Sequence, residues 1–172
     1  PVMKAAVPVV KFVEVHTNIE CDVSMENMDG VLKSELIGIF TKIDLRYRQL
    51  CFLLKAWAKA YNVNDSKKGT LNSLSIIFLA AFHLQTRSPP ILPSFSALLE
   101  GRSLPLVSMW NLVNHGFGRD NKETLGQLFG SFFTKFLAVE SLWEQGLCAS
   151  VYEGKWISKV WAKNHLGCMS VS

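Results

Sequence analysis

Apolar and β-branched residues crowd Val7 to Val15 (VPVVKFVEV) and again Ile19 to Met25 (IECDVSM), with His16-Thr17-Asn18 between them. Two such runs around a short polar turn predict a β-hairpin. After Asp29-Gly30 the period changes from two to roughly three and a half. Ile37, Phe40, Ile43, Tyr47, Leu50, Leu54, Trp57 and Ala58 recur at that spacing, divided over two helices. Asn62 to Gly69 (NVNDSKKG) is a polar loop. Thr70 is the expected N-cap of a buried helix that runs to about Thr86, where Pro89-Pro90 stops it.

Ser94 to Glu100 predicts a short helix closed by Gly101, and Leu104 to Arg119 an irregular stretch with Gly116 and Gly118 in a loop. Asp120 and Glu123 have the spacing of a capping box. The helix after them carries Leu125, Leu128, Phe129, Phe132, Phe133, Phe136 and Leu137 on one face. Val151 to Ile157 reads as extended, with Trp156 and Trp161 in the core. A small β element followed by a larger helical body predicts an α+β fold.

Composition narrows the picture. The 172 residues suffice for one domain or parts of two, and 49% hydrophobic content excludes general disorder. The net charge of +4 is compatible with a polyanionic partner without pointing to one. Cys21, Cys51, Cys148 and Cys168 form no CxxC pair, which predicts free thiols in a reducing compartment, cytoplasm or nucleus. His16, His83, His115 and His165 are scattered and suggest no metal site. The longest apolar run, Leu74 to Leu84, is short of the about 20 residues that span a bilayer, and no membrane association is expected. The chain opens on Pro1 and passes at once into strand-like sequence, which fits a start inside a domain and equally a processed or trimmed chain.

Three features could carry chemistry. Asp22 interrupts an apolar strand, where a carboxylate is disfavoured. A bound cation is one reason for it, and an edge strand with Asp22 facing water is the other, which the local pattern favours. Lys55 and Lys59, spaced i,i+4, point from one helix face. Two close ammonium groups suit a bridging anion such as a triphosphate, or simply a solvated face. Gly69-Thr70-Leu71-Asn72-Ser73 leads a glycine turn into a helix start, where free N–H groups and hydroxyls can hold an anion or a nucleotide sugar. Ordinary helix capping would look the same.

In this order, VPVVKF, CDVSMEN, TKIDLRYRQLCFLLKAWAKAYNVN, GTLNS and HLQTRSPPILP resemble the non-canonical poly(A) polymerase and terminal uridylyltransferase group of the polymerase β-like nucleotidyltransferases. The resemblance runs from about Ala6 to Pro93 and continues more weakly over Leu125 to Leu137. HLQTRSPPILP and LWEQGL are most similar to plant uridylyltransferases that tail small RNAs.

The resemblance implies a partial nucleotidyltransferase palm hairpin over residues 1–30, then a mainly α-helical central, poly(A)-polymerase-associated domain over 31–172, truncated at its C-terminal end. It implies addition of UMP from UTP to the 3′ ends of small RNA or mRNA, with Mg²⁺ or Mn²⁺. Asp22 matches the third metal-binding carboxylate of the family. The other two belong to an Asp-x-Asp pair that occurs nowhere here, so this chain alone is expected to be inactive. Lys55 and Lys59 match lysines that contact the triphosphate. Ser73 matches a serine that holds the nucleotide, and Ser34 a hydroxyl near the ribose. Lys33 stands where the family often has Asn, and Leu74 where an aromatic commonly stacks on the base. A poly(A) polymerase of the same group, or a catalytically dead module that binds RNA or protein, are the alternatives.

Overall fold

The computed structural model describes residues 9–65, 69–99 and 116–158. Expectations for 104–115, Trp161, His115, His165 and Cys168 lie outside them. The chain divides into two compact units, Pro1–Gly38 and Ile39–Ser172.

The first unit begins with an antiparallel hairpin, β1 (Val9–Glu14) and β2 (Ile19–Ser24), in which Lys11 pairs with Asp22 and Val13 with Glu20. The turn forms because the Glu14 carboxylate accepts from the N–H groups of His16 and Thr17, at 3.1 and 2.6 Å, while Asn18 takes a left-handed φ of 55°. The Thr17 hydroxyl on that carboxylate, and the two N–H groups, hold Glu14 below the usual carboxylate range. Both faces of the hairpin are exposed, Val10, Phe12 and Val13 included.

Helix α1 (Met28–Ile43) starts one residue before Asp29-Gly30, because the Asn27 side chain accepts from the Gly30 N–H at 3.0 Å. The division between the units falls within it. Asp44 then caps α2 (Leu45–Ala60), accepting from the Arg46 N–H at 2.9 Å. The two helices read from periodicity are therefore separate, joined at a cap that the pattern did not single out.

In the second unit α2 packs on α3 (Ser73–Gln85) and on α5 (Leu125–Phe136). Short helices α4 (Phe95–Leu99) and α6 (Val139–Glu144) follow α3 and α5 along the chain. Tyr47, Leu50, Leu54 and Ala58 of α2 are wholly buried, as are Phe82, Leu84 and Leu128. Phe40 stacks on Phe95 at 4.6 Å and meets Tyr47 edge-on. A second hairpin, β3 (Leu147–Ser150) and β4 (Lys155–Ser158), closes the unit against α3.

Four expectations are corrected. The N-cap of α3 is Asn72, whose side chain accepts from the Ser75 N–H at 2.7 Å. Thr70 instead closes the preceding loop, its hydroxyl donating to the Asp65 carbonyl and accepting from the Asp65 N–H, both at 2.8 Å. The capping box of α5 is Thr124 with Gln127, not Asp120 with Glu123, because Glu123 is drawn away by Arg87 and Asn121. Leu137, the C-cap of α5, is 83% exposed, because at about 100° per residue it falls roughly half a turn round the axis from the buried Leu128. Val151 to Ile157 is not one extended segment: 151–154 is the turn between β3 and β4, which the left-handed φ of 64° at Gly154 allows. Trp156 is half-buried, its ring edge-on to Phe82 at 5.1 Å.

Candidate functional site

Asp22 lies exposed on β2, and its carboxylate accepts from the Lys11 ammonium directly across the hairpin at 2.9 Å. The reading of a strand position facing water describes this local geometry. Ser34 is exposed on α1 and lines a shallow cleft of about 700 Å³ with Ser24, Glu26, Asn27 and Glu35. Lys33 forms an ion pair with Asp29 one turn earlier on the same helix. Asp22 and Ser34 both belong to the first unit.

The remaining predicted residues belong to the second unit. Lys55 and Lys59 are exposed on one face of α2, and neither makes an ion pair with a described residue. The helix contains Arg46, Arg48, Lys55 and Lys59 and no acidic residue. Ser73 and Leu74 are half-buried in the first turn of α3, whose leading N–H groups have no partner within the helix. Tyr47 ties the two helices together, its hydroxyl donating to the Ile77 carbonyl at 3.4 Å.

Where α2 ends and α3 begins, a cleft of about 490 Å³ is lined by Trp57, Val63, Gly69, Thr70, Leu71, Asn72 and Ser75. Its walls follow from local chain geometry. Asn62 takes a left-handed φ of 54°, and the Val63 N–H returns to the Ala58 carbonyl at 2.9 Å, which ends α2 and reverses the chain. The loop closed by Asp65 and Thr70 then delivers Gly69, with φ 74°, to the start of α3. Behind it, sharing Trp57 and Leu71, lies an apolar cleft of about 410 Å³ whose walls include Phe132, Phe133, Phe136 and Trp156.

The opposite end of the α2–α3 pair is held by residues that sequence reasoning passed over. The guanidinium of Arg46 grips the Asp44 carboxylate, with Nη2 to Oδ2 at 2.7 Å, and donates to the carbonyls of Gly118, Asn121 and Glu123 at 2.8 to 3.0 Å. Gly118 must be glycine: its φ is 85°, and an added Cβ would stand 2.5 Å from the Ile91 carbonyl oxygen. Arg87 pairs with Glu123, and the buried Asn121 amide reaches the Pro89 carbonyl at 2.9 Å. The one available signal was Arg46 two residues after a helix-capping aspartate; its distant partners left no local pattern.

His83 is fully buried between α3 and α5, its Nε2 3.1 Å from the Leu128 carbonyl and 3.2 Å from the Ser131 hydroxyl. Burial, aided by Lys135 and Arg87, pushes its pKa down to about 4, so the ring is neutral at pH 7. Burial and Arg87 likewise lower Lys135 to about 8.

Residues 1–42 match the family described as poly(A) RNA polymerase, mitochondrial-like, central palm domain. Protein HESO1 of Arabidopsis thaliana is 38% identical over 173 residues, covering 90% of this chain and 34% of its own. Poly(A) RNA polymerase GLD2-A of Xenopus laevis is 32% identical over 159 residues, covering 89% and 31%. Among solved structures, mtPAP in complex with UTP superposes with a TM-score of 0.78 at 28% identity, over 92% of this chain and 35% of that one. The Cid1 poly(U) polymerase gives 0.63 at 26% identity, over 77% and 43%. The chain is a relative of the non-canonical poly(A) polymerases and terminal uridylyltransferases. It spans about a third of the length of the curated relatives it matches, 34% and 31%. As a nucleotidyltransferase relative it has the α+β architecture expected of it.

Divalent cations are the general requirement of nucleotidyl transfer. Among the described residues no group of three or more His, Cys, Asp or Glu side chains could hold one. Asp22, exposed and paired with Lys11, does not make such a centre by itself. No described helix is long and apolar enough to cross a membrane.

Proposed function

We propose that the complete protein bearing this chain is an RNA terminal uridylyltransferase, adding UMP from UTP to the 3′ ends of small RNA or mRNA in the cytoplasm, the nucleus or both. The observation that carries this is Lys55 and Lys59 on one face of an acid-free α2, without ion-pair partners among the described residues, on a helix that packs on α3. Two ammonium groups aligned at i,i+4 repel one another until an anion neutralises both, so a triphosphate gains contacts that the free protein lacks. Ser73 at the start of α3 holds the nucleotide and Leu74 packs against the base, giving shape but no π face. The family resemblance assigns the Ser34 hydroxyl to the ribose. In the complete protein Asp22 would supply one ligand to Mg²⁺ or Mn²⁺, the cation that activates the 3′ hydroxyl and neutralises the triphosphate. The 172-residue chain has no Asp-x-Asp pair and by itself transfers no nucleotide.

The preference for UTP is supported by HLQTRSPPILP and LWEQGL, which resemble plant uridylyltransferases, and by the similarity to a poly(U) polymerase. A single-turnover tailing assay of the complete protein, run with each nucleoside triphosphate, tests it. Uridine tails are expected. Preferred ATP use replaces this reading with a poly(A) polymerase, for which the likeness to GLD2-A speaks. RNA binding without any tailing leaves a dead binding module.

A further inference from the structure

The lysine pair is part of a longer line. Arg48, Phe52, Lys55 and Lys59 stand at i, i+4, i+7 and i+11 on α2. At about 100° per residue they fall within roughly 60° of arc and extend over roughly 16 Å of helix. All four are exposed, Phe52 to 61% of its surface. The Arg48 guanidinium lies over the Phe52 ring, 5.6 Å from its centroid. Arg46, the remaining cation of the helix, is neutralised by Asp44 and turned toward the loop at Gly118. None of the three cations in the line has an ion-pair partner among the described residues.

A triphosphate accounts for two ammonium groups. It does not account for a third cation two turns back, nor for an aromatic ring held open to solvent between them. We infer that Arg48 and Phe52 form a track for the single-stranded 3′ segment of RNA, Arg48 meeting a backbone phosphate and Phe52 stacking on a base. Positive charge along the line with an interleaved aromatic face is the arrangement by which single strands are held without sequence readout. Cation–π contact with Arg48 fixes the ring in its exposed position, so little freedom is lost when a base arrives. The inference rests on the proposed function for the roles of Lys55 and Lys59 and on α2 alone for Arg48 and Phe52.

Fluorescence anisotropy of a labelled oligouridylate with the full-length protein, over a range of salt concentrations, tests it beside calorimetric titration with UTP. Phe52→Leu is expected to weaken RNA binding roughly tenfold. Arg48→Gln is expected to reduce the slope of log affinity against log salt by about 0.7, one single-strand phosphate contact. UTP affinity stays at the wild-type value in both, and Phe52→Trp, which keeps a π face, retains RNA affinity. Unchanged RNA affinity and salt slope in the first two variants overturn the inference, as does an equal loss in Phe52→Trp or a parallel loss of UTP binding. A protein that binds RNA through this line yet transfers no nucleotide upholds the track and removes the uridylyltransferase reading.

Discussion

Lys55 and Lys59 show how much a residue's meaning depends on what is missing around it. Four residues apart on an exposed face, they are ordinary; in a helix with no acidic residue and without ion-pair partners among the described residues, they are the pair on which the proposed triphosphate contact rests. Charge-assisted contacts are worth about 1.5–3 kcal/mol. Lys55→Ala in the complete protein is therefore expected to weaken UTP binding at least tenfold with little effect on folding. Calorimetric titration reading the same affinity in both proteins would remove Lys55 from the site. His83 poses the opposite case, a titratable group kept from its charge. Its folded pKa, about 4, lies below its ordinary value, so protons bind the unfolded chain first as the pH falls. The neutral form's advantage is complete above about pH 6.5 and declines toward pH 4. Lys135 and Arg87 act in the same direction, and Glu123 opposes them. Urea denaturation across this window should show wild type losing stability relative to His83→Phe. A difference between the two that does not vary with pH would assign the acid sensitivity elsewhere.

At the scale of elements, helix existence was legible and helix starts were not. The 3.6-residue recurrence of Tyr47, Leu50, Leu54 and Ala58 on α2 corresponds to its buried stripe, and the run Leu74 to Leu84 is the buried α3. Caps failed because several residues near each start can bond a free N–H, and competition decides. Thr70 was taken by Asp65 and Glu123 by Arg87, leaving Asn72 and Thr124 as the caps. Arg46 connects the start of α2 to the loop before α5 with a largely buried guanidinium, 19% exposed against an Asp44 carboxylate at 12%. Removing one partner of such a pair strands the other, at a cost of about 3–5 kcal/mol. Arg46→Ala should lower the urea midpoint accordingly and open the segment 116–124 to limited proteolysis. An unaltered midpoint would mean that water replaces the guanidinium without loss.

For the whole molecule, the two units differ in how they treat apolar surface. The second buries Phe40, Phe82, Phe95 and Leu128 almost completely. The hairpin of the first leaves Val10 at 67% and Val13 at 50% exposed. Open strand edges beside apolar faces favour pairing with other chains. Val13→Lys sets an ammonium opposite Glu20, a favourable cross-strand pair that also interrupts the patch. Static light scattering of the 172-residue chain should show less self-association in this variant; identical concentration dependence would exonerate the hairpin. The alternation of apolar and polar residues by itself determined the two classes of element, their order, and the stripe and run that make the helical core, because these follow from local periodicity. Tertiary structure decided which polar groups found partners: Arg46 with residues 72 to 77 positions away, Glu123 with Arg87, His83 with Leu128. Hydrogen bonds between distant segments leave no period along the chain, so packing alone reveals them.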